Sequence, residues 1–236
     1  MPDFTTGITG WLKNSFIDFP GTVSTVLFFS GCNLRCPYCH NPQIVTNAFL
    51  PQIPLQEILD FFQNRKGLIN GVVLSGGEPT MHETAKSISA HARSMEYTVK
   101  LDTNGLLPEK IKEIAPNYLA LDIKTIPENY ALMLKAPYNN IKERLQKSID
   151  IVKSMKENAE IRITIAPEII NIKIIEEITP MLEGVEKVYL QPMHSNVELL
   201  NPKMQEMNKI PMDEIEIYKK ILEKISIKCE IRGYAK

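Results

Sequence analysis

The chain has 236 residues, with 27 basic against 28 acidic side chains, 44% apolar residues and four cysteines. A net charge of -1 excludes a clustered basic surface for nucleic acid or anionic lipid as the organising feature. No apolar run approaches the ~18–20 residues of a membrane span, and the N-terminus lacks a basic-then-apolar signal pattern, so a cytoplasmic protein is expected.

A single α/β barrel commonly fills about 200–250 residues, and a chain of that size needs neither disulfides nor a structural metal to hold its core. In chain order, the first β-rich run is Thr22–Phe29, followed by an amphipathic helix carrying Leu55, Ile58, Leu59 and Phe62. Gly71–Ser75 leads to a helix with Ala85, Ile88, Ala92 and Met95; Thr98–Thr103 leads to a short helix, Pro108–Ile114, opened by proline. Tyr118–Lys124 precedes a helix with Ile141, Leu145, Ile149 and Val152, and Glu160–Ala166 one with Ile174, Ile178 and Met181. Lys187–Pro192 runs into an irregular stretch, Ser195–Pro211, that reads as a long loop or lid. A last helix with Ile215, Tyr218, Leu222 and Ile225 and a strand-like run, Ile227–Ile231, close the chain; the Arg232-Gly233-Tyr234 after it reads as a plain terminal strand.

Six strand–helix repeats with short connections predict parallel strands joined by helical crossovers. The expected fold is α/β, a partial barrel open on one side, because six strands are too few for a closed eight-stranded barrel. Residues 1–236 are expected to form one domain, with a core over about 17–194 and an extension over 195–236.

Cys32, Cys36 and Cys39 crowd one loop, while Cys229 reads as a small buried apolar residue. Three thiols are odd in number for disulfides, and spacings of four and three let them hold three corners of an iron–sulfur cubane, leaving one iron open. The zinc alternative recruits His40 as a fourth ligand. The other predicted strand ends also carry chemistry. They are Ser75-Gly76-Gly77-Glu78-Pro79, Asp102-Thr103-Asn104-Gly105, Asp122-Ile123-Lys124 and Gln191-Pro192-Met193-His194, and Arg162 lies inside the fifth strand. Each has a plain structural reading too: an Asx-turn at Asp102, an ion pair between Asp122 and Lys124, a surface histidine at His194.

With Tyr38 before the third cysteine and Gly76-Gly77-Glu78-Pro79 downstream, the chain resembles the radical S-adenosylmethionine (SAM) superfamily over at least residues 17–194. The resemblance implies that Cys32, Cys36 and Cys39 hold one [4Fe-4S] cluster whose open iron is chelated by SAM. One electron then splits SAM into methionine and a 5′-deoxyadenosyl radical that abstracts hydrogen. The runs Asp18-Phe19-Pro20-Gly21, Cys39-His40-Asn41-Pro42, Asp102–Gly105 and Asp122–Lys124, with His194, are similar to the glycyl-radical-enzyme activases. The likeness is greatest to the activating protein of anaerobic ribonucleoside-triphosphate reductase and more distant to pyruvate formate-lyase activating enzyme. Phe19 departs from the glycine usual in the latter.

By that likeness Glu78 accepts from the SAM ammonium, and Gly76 and Gly77 allow close backbone approach to a ligand. Lys124 meets the SAM carboxylate, Arg162 serves the carboxylate or substrate side, and His194 borders the adenosine. Asp102, Thr103 and Asp122 line a monovalent-cation site, and Tyr38 and Pro79 join the cofactor-binding set. The implied partners are a glycyl-radical enzyme, expected to be anaerobic ribonucleotide reductase, and a low-potential electron donor such as flavodoxin or ferredoxin. Neither nucleic acid nor a membrane is expected. Two rivals share part of the pattern: a radical SAM enzyme for a small molecule, similar to 7-carboxy-7-deazaguanine synthase, and a non-catalytic iron–sulfur or zinc-binding protein.

Overall fold

The structure is a computed structural model and describes residues 6–46, 50–225 and 227–233, so Tyr234 of the terminal motif lies outside the described residues. Its strands are β1 (Ile8–Ser15), β2 (Ser24–Phe29), β3 (Gly71–Gly76), β4 (Thr98–Thr103), β5 (Tyr118–Ile123), β6 (Ala159–Ile165), β7 (Lys187–Pro192) and β8 (Lys228–Ile231). The α-helices are α1 (Pro42–Thr46), α2 (Leu55–Asn64), α3 (Glu83–Ser94), α4 (Pro108–Ile114), α5 (Ile141–Met155), α6 (Ile172–Ile178) and α7 (Met212–Glu223). The strand order is β1-β2-β3-β4-β5-β6-β7-β8, with two ends, which is the order of an open βα barrel. Among the described residues no helix is long and apolar enough to cross a membrane.

The chain divides into two compact units. The first holds residues up to Cys32, Gln43–Thr103 and Glu109–Leu119. Here β2 and β3 pair in parallel from Ser24↔Gly71 to Phe29↔Gly76, and β3 and β4 pair in parallel from Gly71↔Thr98 to Leu74↔Leu101. Val72, Val73 and Leu74 have no exposed surface, as an unbroken apolar run in a parallel strand requires. Helix α2 buries Ile58 and Phe62, and α3 buries Ala85, Ile88 and Ala92, the faces expected from their spacing.

The strand β1 is an addition to the sequence reading. It pairs antiparallel with β2 through Trp11↔Leu27 and Leu12↔Val26, with register shifts on both sides of that stretch. The β1–β2 hairpin carries Asp18-Phe19-Pro20-Gly21. Phe19 is buried with Val26, Val73 and Tyr118, and Ser15 Oγ donates to Asp18 at 2.5 Å. A Cβ on Gly71 would meet Phe19 at 2.8 Å, so this motif plugs the N-terminal ends of β2 and β3. The cysteine loop leaves the opposite, C-terminal end of β2, about 20 Å along the strand.

The second unit holds Asn33–Pro42, Asn104–Pro108 and the chain from Ala120 onward. Strands β6 and β7 pair in parallel from Ile161↔Val188 to Ile165↔Pro192, and β7 and β8 from Lys187↔Lys228 to Leu190↔Ile231. Helix α5 buries Leu145, Ile149 and Val152, while α6 starts at Asn171, whose side chain caps the Ile174 N–H at 3.0 Å. Cys229 is buried in β8. The stretch 195–211 carries a 3-10 turn at Pro202–Gln205 and is pinned by buried Leu199 and Met204.

Candidate active site

In the first unit, the residues before Cys32 are stitched to the turn after β3. The Gly77 N–H donates to Phe29 O at 2.7 Å, and the Glu78 N–H donates to Gly31 O at 2.9 Å. A Cβ on Gly77 would fall 1.8 Å from Gly31 O, and one on Gly76, where φ is 105°, would fall 2.6 Å from Phe29 N. The close approach that these glycines permit is therefore to the chain's own cysteine loop. His82, which the sequence reading did not single out, adds a third tie: its Nε2 lies 2.8 Å from Ser30 O. Burial lowers the His82 pKa, so the neutral ring donates its Nε2–H to that carbonyl.

Glu78 is buried, with its Oε1 accepting from Thr80 N at 3.1 Å, Thr80 Oγ1 at 2.5 Å and Thr103 Oγ1 at 2.7 Å. Pro79 is buried at the start of the 3-10 turn Pro79–Met81, for which Glu78 is the N-cap. Asp102 is engaged on both oxygens: Oδ2 accepts from Ser75 Oγ at 2.9 Å, and Oδ1 pairs with Lys100 Nζ. Lys100 also escaped the sequence reading, although a lysine between Val99 and Leu101 in a buried strand is itself a signal.

In the second unit, Asp122 receives Arg162 in a two-pronged pair, Nε to Oδ1 at 2.7 Å and Nη2 to Oδ2 at 3.2 Å. Lys124 Nζ adds a contact to Oδ2 at 3.2 Å. Burial alone would raise the Asp122 pKa, but Arg162 and Lys124 outweigh it and hold the carboxyl well below the usual range. Burial works against the Lys124 charge, yet Asp122 and Cys36 raise its pKa overall. The ion pair expected of period-two spacing thus exists, with Arg162 as a third member.

The loop 33–42 is held on two flanks. Arg35 N–H donates to Met133 O at 2.6 Å and Lys135 N–H to Asn33 O at 2.9 Å; on the other side Leu200 N–H reaches Cys39 O at 3.1 Å and Asn201 N–H reaches Pro37 O at 2.9 Å. Asn104 Nδ2 donates to Asn33 Oδ1 at 2.7 Å. The rings of His40 and His194 meet edge to face at 5.8 Å; burial, then His194 and Lys124, lower the His40 pKa. Behind His194, a Cβ on Gly233 would lie 3.4 Å from its Nε2. That terminal segment is fixed by Arg232, which pairs with buried Glu160 and stacks on Tyr189.

Of the loop cysteines, Cys32 and Cys36 are buried and Cys39 is half-buried. Burial raises the Cys36 pKa while Lys124 lowers it. The Tyr38 hydroxyl is buried, and the side chain it faces is Cys36. A cysteine loop with the Lys124 cation and the buried Tyr38 hydroxyl both beside Cys36 fits an anionic sulfur cluster. Among the described residues no three His, Cys, Asp or Glu side chains are grouped to hold a single metal ion.

The model of the radical SAM superfamily matches residues 26–179. A protein of Methanocaldococcus jannaschii, named as a glycyl-radical enzyme activating enzyme, is 31% identical over 87% of this chain and 85% of its own length. The pyruvate formate-lyase-activating enzyme of Clostridium pasteurianum is 28% identical over 76% and 78%. A 7-carboxy-7-deazaguanine synthase of Rhodopirellula baltica is 29% identical over 78% and 71%. Among solved structures, Streptococcus suis SuiB bound to the precursor peptide SuiA shares the fold, with a TM-score of 0.64 at 12% identity. That likeness covers 88% of this chain and 48% of SuiB, so the chain spans about half of that protein. The family model covers most of the chain and the archaeal relative nearly all of it, and on both grounds the chain belongs to the radical SAM superfamily, among its glycyl-radical-enzyme activating enzymes.

Proposed function

We propose that this chain installs the glycyl radical of an anaerobic ribonucleoside-triphosphate reductase, drawing its electron from a flavodoxin or ferredoxin. The observation that carries the activase reading is the archaeal activating-enzyme relative, 31% identical over 87% of the chain. The reductase as partner rests on the Cys39–Pro42, Asp102–Gly105 and Asp122–Lys124 resemblance. When bound, the [4Fe-4S] cluster and SAM supply a one-electron reductive cleavage to methionine and a 5′-deoxyadenosyl radical.

The chain's own residues bind and orient. Cys32, Cys36 and Cys39 hold the cluster, and Tyr38 gives its buried hydroxyl to the sulfur shell. Glu78, steadied by Thr80 and Thr103, receives the SAM ammonium, with Gly76, Gly77 and Pro79 fixing its turn. Lys124 and Arg162 set two cations against one carboxylate, and their surplus positive charge receives the SAM carboxylate. His194, backed by Gly233, borders the adenosine.

A reductase labelled with deuterium at glycine Cα tests the reading. Deuterium should appear in 5′-deoxyadenosine. Unlabelled 5′-deoxyadenosine from that partner, with ring contraction of a pterin supplied alone, would favour the deazaguanine synthase reading to which the Rhodopirellula relative points.

A further inference from the structure

The monovalent cation implied by the resemblance does not fit the carboxylates that would hold it. In the first unit, Lys100 and Asp102 stand two residues apart on one face of β4, and Lys100 is 3% exposed. Its ammonium pairs with Asp102 Oδ1, and Ser75 Oγ occupies Oδ2. The Thr103 hydroxyl is directed to Glu78. In the second unit, Asp122 is matched by both Arg162 and Lys124. Each carboxylate assigned to the cation thus already faces a cation built into the chain. A metal ion beside Asp102 would also meet the like charge of Lys100 in a low-dielectric setting.

We propose that the Lys100 ammonium takes the place of a monovalent cation at Asp102, so that SAM binding by this enzyme requires neither sodium nor potassium. The proposal rests on the radical SAM reading of the site. It also explains why β4 tolerates a lysine between Val99 and Leu101: the ammonium completes a charge balance that another chain would obtain from solution.

The test uses the full chain with its cluster reconstituted, in tetramethylammonium, sodium or potassium chloride at equal ionic strength. SAM affinity, read from the change in the cluster EPR spectrum, should agree within about twofold across the three salts. Lys100→Met should bind SAM about tenfold more weakly in tetramethylammonium and recover in potassium. Its melting temperature should likewise rise in potassium, while that of the wild type is the same in all three. A purely structural ion pair would lower stability in Lys100→Met equally in every salt, and that result overturns the proposal. So does a wild type whose affinity or melting temperature depends on sodium or potassium, a measurement that decides the matter even if Lys100→Met does not fold. Absence of SAM binding in every salt, with salt-independent wild-type melting, would instead point to failure of the functional reading and take the proposal down with it.

Discussion

At the scale of single residues, the four cysteines separate by environment. Burial pushes the Cys229 thiol up to about 12; it raises the Cys36 thiol too, but there Lys124 opposes the rise. In the cluster-free native chain, iodoacetamide at neutral pH should modify half-buried Cys39 first and leave Cys229 unlabelled until the protein is denatured, as peptide mass mapping would read. Cys36→Ala should abolish the charge-transfer absorbance of the reconstituted cluster and 5′-deoxyadenosine formation together. The Asp122–Arg162–Lys124 array gives a pH prediction. A carboxyl held below its unfolded value contributes stability above that value, near 3.9, and loses it as pH falls through the folded one. Arg162→Met leaves the half-buried carboxylate to Lys124 alone and should cost about 2–4 kcal/mol at neutral pH. Urea melts of the two proteins should show that gap constant above about pH 5 and shrinking below about pH 4. A gap that widens in acid would contradict the assignment. Lys100 and His82 were harder to read from sequence than these. Lys100 lies inside a strand rather than at its chemistry-bearing end, and His82 binds a backbone carbonyl, which no side-chain pattern in the sequence marks.

Among the elements, parallel buried strands were the most legible, because short clusters of Val, Ile and Leu mark them, unbroken at Val72-Val73-Leu74 where both faces are covered. Thr98–Thr103 and Lys187–Pro192 match their strands in full. Strand β1 was illegible for the converse reason. ITGWLKNS contains Gly10 and Lys13-Asn14, half-exposes Leu12 and slips register twice, so neither alternation nor an apolar run marks it. The turn after β3 behaves as a clamp on the cysteine loop, with Gly77 as its tightest point. Gly77→Ala should force the backbone at Gly31 away, costing more than the about 1–3 kcal/mol of ordinary overpacking and lowering iron incorporation. Gly21→Ala is the control: its added methyl meets nothing within 4 Å, so its strain is confined to a backbone φ of 67° and iron loading should persist.

For the whole molecule, a chain of near-zero charge with no membrane-crossing helix among its described residues carries out chemistry that its own side chains cannot supply. They position a cluster and a cofactor, which is why the family was legible from two short motifs while the partner was not. The strand-end motifs serve the cluster and the cofactor, and nothing in them encodes a partner's surface. The central claim is that the radical made here ends on a protein. Anaerobic incubation of the cluster-loaded chain with SAM, a low-potential reductant and an anaerobic ribonucleoside-triphosphate reductase, followed by EPR of the reductase, tests it most directly. The account predicts a glycyl doublet that grows in step with 5′-deoxyadenosine. Abundant 5′-deoxyadenosine with no doublet on the reductase, or on any other glycyl-radical enzyme offered, would contradict it.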